Sequence, residues 1–264
     1  MVKSPQERQS GGVAVKPAEF QMRIHDILAR SADERGATEL GKEDFGPFLT
    51  ISRQAGSGGA EVARAVGSRL GWSVLDNELV EDLAQRLKLA PQMLALMDET
   101  KSGWFRDTML NLLNARLVLQ DSYVTMLGRV MLLAAFDGRV IIVGRGAHLM
   151  LPREHGLRVR VVAPLRARVA RLQERERLDA ETLEKRIEAT DRGRAKYLSR
   201  HFHVGADELK LFDLVLDAEA FGIEGSADVI CRALQVRGLV APRVLGAARA
   251  SSPSAVPTAR TVRS

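Results

Sequence analysis

The sequence predicts an α/β domain in which five parallel strands form one sheet with helices on both faces. Short apolar runs without polar alternation are typical of strands that are buried on both sides, as in a parallel sheet. Segments with helical spacing separate these runs, as parallel connections require, and a glycine cluster directly follows the first run. The predicted strands span residues 48–51, 72–75, 140–143, 159–163 and 214–216.

The helices between the strands are predicted from apolar spacing and from residues that favour helix ends. The first helix has apolar residues four apart and is followed by Gly71, and glycine is common just after a helix. Pro164 can open the helix after the fourth strand, and Asp179 can cap the next one. Residues 77–137 are mostly helical in pattern, and a last helix is predicted at 226–236.

Length and composition limit the class of protein. The chain has 264 residues, of which 45% are hydrophobic, so it can build one large domain with a sizeable core. Its single cysteine excludes an internal disulfide framework. No apolar run approaches the ~20 residues that cross a bilayer, and the N-terminal residues lack the apolar segment of a secretory signal. We therefore expect a cytoplasmic protein with no membrane partner.

The chain is predicted to divide into a domain and two polar ends. Residues 1–45 are polar apart from a short amphipathic stretch, and we interpret them as a loosely ordered extension. Residues 46–238 form the predicted domain. Residues 239–264 are rich in Ala, Ser, Pro and Arg without an apolar period, which predicts a disordered basic tail.

The net charge of +6 is unevenly distributed. Between Arg158 and Arg200 there are 13 Lys and Arg residues against 7 Asp and Glu, inside predicted strands and helices. Such a basic segment favours a polyanionic ligand. Nucleic acid is a less favoured partner, because no aromatic residues interleave with the basic ones.

The glycine-rich residues 52–60 join the first strand to the first helix. At such a turn, backbone N–H groups and the helix dipole can hold a phosphate. The alternative is a flexible turn that needs glycine only to bend. The residues assigned to nucleotide binding are Gly56, Ser57, Gly58, Gly59 and Ala60.

The same loop departs from the full phosphate-loop pattern, G-x-x-x-x-G-K-[ST]. Arg53 stands at its first glycine, Gly59 at its lysine and Ala60 at its hydroxyl residue. The loop therefore lacks the lysine that normally neutralises the β- and γ-phosphates.

Three strings of the sequence resemble the cytidylate kinase-like family, a branch of the nucleoside monophosphate kinases with a P-loop NTPase fold. They are ISRQAGSGGAEVARAVGSRLGWSVLDNEL, VIIVGRGAHLML and DRGRAKYLSRHF, in the family's order and within residues 47–236. In this branch a strand ending in Ser-Arg-Gln and a Gly-Ser-Gly-Gly loop replace the lysine-bearing loop. The resemblance implies ATP and Mg²⁺ as cofactors, an acceptor-binding helical insertion at 77–137 and an arginine-rich lid at 164–200.

The resemblance also implies roles for residues that follow two strands. Arg145 matches the arginine of a Gly-Arg-Asp string that contacts the acceptor nucleotide, although Gly146 replaces the aspartate. An arginine that only caps its strand is the alternative. Asp76 matches the aspartate that follows the second strand, and we expect it to position acceptor phosphate or metal-bound water.

The predicted helix after Asp179 carries charges on its apolar side. Asp191 and Arg194 fall within the stripe of Leu183, Ile187 and Leu198. Buried charges are costly unless they are paired or bound to a ligand, so the two residues either form a structural ion pair or border a ligand. The family has an Arg-x-x-x-Asp-x-x-Arg pattern here that contacts the acceptor's ribose and phosphate. Asp191 and Arg194 match it, and Ile187 replaces its first arginine.

Five arginines between 166 and 177 resemble a lid that closes over the phosphates of ATP. We assign catalytic roles to Arg168, Arg171 and Arg175, and to Arg53 as a substitute for the absent lysine. No residue is assigned to a metal, because His201 and His203 lack further nearby ligands in the sequence.

The predicted function is ATP-dependent phosphoryl transfer to a pyrimidine nucleoside monophosphate, CMP or dCMP. The alternative is a catalytically weak nucleotide-binding sensor or scaffold, which Gly59 in place of the lysine favours.

Overall fold

A computed structural model of the chain describes residues 45–88 and 122–241, together with Met22. Five parallel strands form one sheet in the order β2-β3-β1-β4-β5. The strands are β1 (Phe48–Arg53), β2 (Ser73–Leu75), β3 (Val140–Val143), β4 (Gly156–Val162) and β5 (Leu214–Asp217). The predicted five-stranded parallel α/β fold is confirmed.

Seven α-helices connect or follow the strands in the described part of the chain. They are α1 (Gly59–Leu70), α2 (Asn77–Lys88), α3 (Ser122–Asp137), α4 (Ala147–Met150), α5 (Leu165–Glu176), α6 (Ala180–Phe202) and α7 (Gly222–Val236). Short 3₁₀ turns span Arg153–His155 and Leu209–Leu211.

Both faces of the sheet are covered because the side chains of each strand alternate between two apolar layers. Phe48 of β1 packs with Leu127 of α3 and with Phe202 of α6. Its neighbour Leu49 points to the other face, where it joins Val62 of α1 and Ile230 of α7. This alternation buries the first four residues of the central strand, whereas Ser52 and Arg53 at its carboxyl end are half-buried.

The helix ends follow their sequence signals. Gly71 ends α1 in the left-handed region, with φ 65°, where glycine carries no steric penalty. The Asp179 side chain accepts a hydrogen bond from the Thr182 backbone at 2.8 Å and so caps α6. Pro164 directly precedes α5. These local predictions are confirmed.

Two elements begin three or more residues earlier than predicted, and β1 extends two residues further, to Arg53. β4 begins at Gly156 instead of 159. The predicted start was late because Arg158 interrupts the apolar pattern, although Arg158 and Arg160 are both buried in the strand. The last helix begins at Gly222 instead of 226. Of the predicted helical stretch 77–137, the described parts are helical, while residues 89–121 lie outside them.

The terminal segments, 1–45 and 239–264, lie almost entirely outside the described residues, so the domain boundaries remain predictions. Within the described residues, none of the helices has both the length and the apolar character to span a membrane.

Buried Arg158 ties β4 to the entrance of β5. Its side chain donates to both carboxylate oxygens of Asp213, at 3.0 and 3.2 Å, and its backbone donates at 2.9 Å. Arg153 adds a further bond to the same carboxylate. Burial alone would raise the pKa of Asp213, but the hydrogen bonds and charge of Arg158 outweigh it, and the pKa lies below its usual value. This pair therefore stabilises the edge of the sheet while Asp213 is ionised.

We predict that Asp213→Asn destabilises the protein at neutral pH by about 3 kcal/mol, because it leaves a buried guanidinium without its carboxylate. The native pKa is depressed, so the stabilisation is present above the unfolded-state pKa of about 4 and is lost as the pH falls below it. Urea unfolding at several pH values measures both effects. Exposed Asp228→Asn is the control, and an equally steep acid loss in wild type and Asp213→Asn would contradict the assignment.

Candidate functional site

A cavity of about 460 Å³ opens at the carboxyl ends of the central strands. Open parallel sheets bind ligands at this edge. The end of β1, the turn after β3 and one side of α6 supply most of its lining. Four of the predicted site residues line it: Arg53, Arg145, Asp191 and Arg194.

Arg53 ends β1 and crosses the start of α1. A Cβ atom built on Gly59 would lie 2.5 Å from the Arg53 Cβ and 3.0 Å from its Cγ. The Arg53 side chain therefore occupies the space into which a residue at 59 would project. Arg53 and a lysine at the usual phosphate-loop position exclude each other sterically.

The Arg53 guanidinium reaches the turn after β3. A side chain on Gly144 would collide with it, and Gly144 also has a positive φ of 88°. Asn77 lies beside the same guanidinium: with its nitrogen donating to the Val143 carbonyl at 2.8 Å, its oxygen accepts from Arg53 Nη2 at 3.2 Å. The guanidinium is thus fixed between the glycine loop and the cavity.

Three arginines create a strongly positive site. Burial, followed by the positive charges of Arg194 and Arg145, lowers the pKa of Arg53 to about 10, against the opposing charge of Asp76. Burial also lowers the pKa of Arg194, again with a contribution from Arg145. The guanidinium groups stay protonated at neutral pH but repel one another, so an anion bound among them would be stabilised.

Arg145 is oriented by two neighbours. Its guanidinium pairs with Glu81 of α2 and lies 5.9 Å from the centre of the Tyr197 ring. Its own backbone has a positive φ of 50°, which is uncommon outside glycine and typical of functional turns.

Two glycines of the loop after β1 adopt left-handed backbone conformations, and residues 56–60 do not line the cavity. Gly56 and Gly58 adopt positive φ angles of 74° and 87°. No side chain among the described residues caps the N-terminus of α1, so its first N–H groups have no intrahelical partner. The Ser57 hydroxyl donates to the carbonyls of Gln54 and Val161, which anchors the loop to β4.

The predicted lid region packs onto this loop from outside. Asp191 Oδ1 accepts from the Ala55 backbone N–H at 2.8 Å, and its Oδ2 accepts from Arg168 Nη1 at 2.7 Å. Arg168 also donates to the Ala55 carbonyl at 3.3 Å. Ile187, at the position of the family's first arginine, is buried against Ala55 and Val169. The peptide at Ala55 is therefore held on both its polar groups.

Two further arginines hold neighbouring carbonyls of the loop. Arg171 Nη1 donates to the Gly56 carbonyl at 3.0 Å, and Arg194 Nη1 donates to the Arg53 carbonyl at 3.0 Å. Together with Arg168, these contacts turn loop carbonyls toward the lid. Among the loop N–H groups, those of Gln54, Ala55 and Ser57 already donate to the Val161 carbonyl, the Asp191 carboxylate and the Gln54 carbonyl, so a phosphate could bind only the others.

The remaining predicted residues lie away from the cavity lining. Arg175 is 60% exposed and pairs with Glu61 of α1. Asp76 accepts from the Leu79 backbone at 3.0 Å at the start of α2.

Asp191 and Arg194 were predicted either to form an ion pair or to border a ligand site. Asp191 Oδ1 lies 3.8 Å from Arg194 Nη1, and both residues also line the cavity, so both interpretations hold.

Sequence reasoning missed most polar residues of the cavity, and four of them come from strands or helices on different sides of it. They are Ser52, Asn77, His148 and Arg160. Burial, with a smaller contribution from Arg158 and Arg160, lowers the pKa of His148 to about 3, so its imidazole is neutral. The signal for Arg160 was its spacing from Arg158, because residues two apart in a strand share one face. No group of three or more metal-binding side chains occurs among the described residues.

The parallel sheet, with a glycine loop between β1 and α1, is the P-loop kinase fold. Residues 48–220 match the cytidylate kinase-like family, and the chain belongs to that family. An uncharacterized protein from Eubacterium ventriosum has a similar structure, with a TM-score of 0.56 and 18% identity over 72% of this chain and 98% of that one. This likeness concerns the fold alone.

Two cytidylate kinases are similar to part of the sequence. The enzyme from Methanocaldococcus jannaschii is 27% identical over 103 residues, and that from Methanopyrus kandleri is 29% identical over 110 residues. Each alignment covers 38% of this chain, and it covers 58% and 57% of the respective relatives. The chain thus spans less than two thirds of their lengths.

We predict that Asp191→Ala loosens the glycine loop. Loss of the carboxylate frees the Ala55 N–H and leaves Arg168 without its ion pair, so amide hydrogen exchange within residues 54–58 should accelerate about tenfold or more. Mass-spectrometric exchange measures this. Arg166→Ala on exposed α5 surface is the control. Unchanged exchange in Asp191→Ala would show that the loop holds its shape without the carboxylate.

Proposed function

We propose that this chain is a nucleoside monophosphate kinase that transfers the γ-phosphoryl group of ATP to CMP or dCMP. The observation that carries the proposal is the cluster of Arg53, Arg145 and Arg194 beside the glycine loop at one cavity. A phosphoryl-transfer site needs positive charge between two phosphate-binding regions more than it needs a base.

The acceptor phosphate would bind the arginine cluster. Arg145 and Arg194 line the cavity, and both already carry contacts that fix their guanidinium groups. A guanidinium can give two parallel hydrogen bonds to a phosphate. Binding of a dianion would also offset the burial and the neighbouring positive charges that lower the pKa of Arg53 and Arg194.

The glycine loop would hold the phosphates of ATP. Positive φ at Gly56 and Gly58 and the N-terminus of α1, which has no side-chain cap, fit a backbone phosphate site. Arg53 would supply the charge that a lysine at Gly59 supplies elsewhere. Bound Mg²⁺ would neutralise charge on the β- and γ-phosphates, and we expect Asp76, whose charge acts on Arg53, to face its water shell.

Catalysis would rest on positioning. Arg53 lies at the boundary between loop and cavity, so its guanidinium can contact the transferred group in line with both. Arg168 and Arg171 hold the loop from outside, and their catalytic role would be to keep its N–H groups oriented. Arg175, paired with Glu61 at the surface, would have to swing inward to reach a phosphate.

A second candidate is a nucleotide-binding sensor. Asp191 occupies the Ala55 N–H, and two lid arginines are engaged with loop carbonyls. Because Arg168 and Arg171 are engaged in these contacts, they would not be free to neutralise the charge of the transferred phosphoryl group. The loop would then bind nucleotide without fast transfer.

A coupled ADP-release assay separates the two functions. With CMP, dCMP, UMP, AMP and GMP as acceptors, we predict turnover of ~1–100 s⁻¹ with CMP or dCMP preferred. ATP binding measured by calorimetry without turnover on any acceptor would support the sensor, and lack of nucleotide binding would exclude both.

We also predict that a lysine at position 59 can replace the function of Arg53 only if both positions are changed together. Gly59→Lys alone should abolish turnover, because the new side chain collides with Arg53. Arg53→Ala alone should lower kcat by about 10²-fold or more, because it removes a charge from the transition state. The double variant Arg53→Gly with Gly59→Lys restores the first glycine and the lysine of the usual pattern and should recover part of the activity.

Thermal unfolding of all three variants controls for folding. A double variant no more active than the single ones, although folded, would show that Arg53 does not replace the lysine. Full activity of Arg53→Ala would remove it from the site.

A further inference from the structure

Strand β4 carries two buried arginines on one face of the sheet. Arg158 is 5% exposed and Arg160 is 6% exposed, and the register places Arg160 beside Ser52 at the carboxyl end of β1. Arg158 is fully explained by Asp213, whose side chain is only 10% exposed. Arg160 has no comparable explanation within the described residues.

Arg160 lies in the wall of the cavity with only an exposed carboxylate beside it. Its Nη1 donates to Ser52 Oγ at 3.2 Å, and its Nη2 donates to Asp207 at 2.6 Å. The Asp207 side chain is 86% exposed. These two bonds use two of the five N–H donors of a guanidinium. A buried arginine with donors left over, at a cavity that it lines, is suited to a ligand.

Aromatic rings fix the position of the guanidinium. Its Cζ lies 5.6 Å from the centre of the Phe212 ring, and the His148 ring stacks on Phe212 at 4.8 Å. His148 and Arg160 both line the cavity. The side chain is thus held in place from one side and presented to the cavity from the other.

Arg160 lines the same cavity as the proposed phosphate site. Its side chain bonds Ser52, whereas Arg194 bonds the carbonyl of the next residue, Arg53. A ligand with its phosphate among Arg53, Arg145 and Arg194 could extend along the cavity of about 460 Å³ to Arg160.

We propose that Arg160 and Asp207 are specificity-determining residues that read the base of the acceptor nucleotide. Arg160 donates to the adjacent oxygen and ring-nitrogen acceptors of a cytosine edge, and Asp207 accepts from its exocyclic amine. This inference rests on the proposed function, since it assigns the base end of the same acceptor site.

The chemistry of the pair favours a neutral base edge over a second anionic group. The charge of Arg160 is already matched by Asp207, so an added phosphate or carboxylate would be repelled by that carboxylate. A neutral edge with acceptors next to an amine is satisfied by a guanidinium and a carboxylate side by side. Uracil presents a carbonyl where cytosine presents the amine, and this carbonyl would face Asp207 unfavourably.

Binding of CMP, UMP and ribose 5-phosphate tests the proposal, because the last ligand has the phosphate and sugar but no base. Calorimetry with Arg160→Met should show CMP binding weakened about tenfold or more and ribose 5-phosphate binding unchanged. Asp207→Asn should reduce the preference for CMP over UMP several-fold, and thermal unfolding checks that it still folds, because it leaves the buried Arg160 guanidinium without its carboxylate. Arg145→Ala is the matched comparison and should weaken all three ligands together.

Equal weakening of CMP and ribose 5-phosphate in Arg160→Met would overturn the proposal, as would an unchanged CMP to UMP ratio in Asp207→Asn. If Arg160→Met does not fold, Ser52→Ala replaces it, because it removes one of the contacts of Arg160. It should weaken binding of CMP but not of ribose 5-phosphate, and Asp207→Asn should still reduce the preference for CMP over UMP. Wild-type protein that binds ribose 5-phosphate as tightly as CMP refutes the base site alone. Wild-type protein that binds none of the three refutes the acceptor site and the proposed function with it.

Discussion

The glycine loop depends on being held from outside by the lid. Loops rich in glycine are costly to order because their backbone has many accessible conformations. Here three arginines donate to consecutive or nearby loop carbonyls, and one carboxylate accepts from a loop N–H. The contacts fix peptide orientation, and the side chains of Arg171 and Ile223 pack against Gly58. Such preorganisation leaves a phosphate less ordering to bring about when it binds.

The same helix connects the loop with the cavity. Asp191 and Arg194 lie three residues apart on α6, so they share one side of it. One of them bonds the loop at Ala55, and the other lines the cavity while bonding the loop at Arg53. Arg145 is paired with Glu81 of α2 and also lies against Tyr197 of α6. Both helices therefore help to position the side chains of the site.

Much of this arrangement was predictable because its signals are local. The apolar runs of the strands, Gly71 after α1 and the Asp179 cap each act within a few residues. The approach of Arg145 to the loop also followed from a general rule, since both come after neighbouring parallel strands. Asp191 and Arg194 stood out because charge interrupted an apolar stripe.

The features that could not be predicted depend on contacts between residues far apart in the sequence. Ser52 and Arg160 are 108 positions apart and meet only through the pairing of β1 with β4. Charged residues in a strand also look like its end, which is why β4 seemed to start late. The collision between Arg53 and residue 59 is equally invisible in sequence, because it depends on how a side chain at a strand end lies across the next helix.

That collision has an evolutionary consequence. A lysine cannot be added at position 59 while Arg53 remains, and loss of Arg53 alone leaves neither cation in place. A single substitution between the two loop types therefore gives either a steric clash between Arg53 and a lysine at position 59, or a loop that has neither cation. The two loop chemistries should accordingly persist as separate lineages, with positions 53 and 59 inherited as a unit.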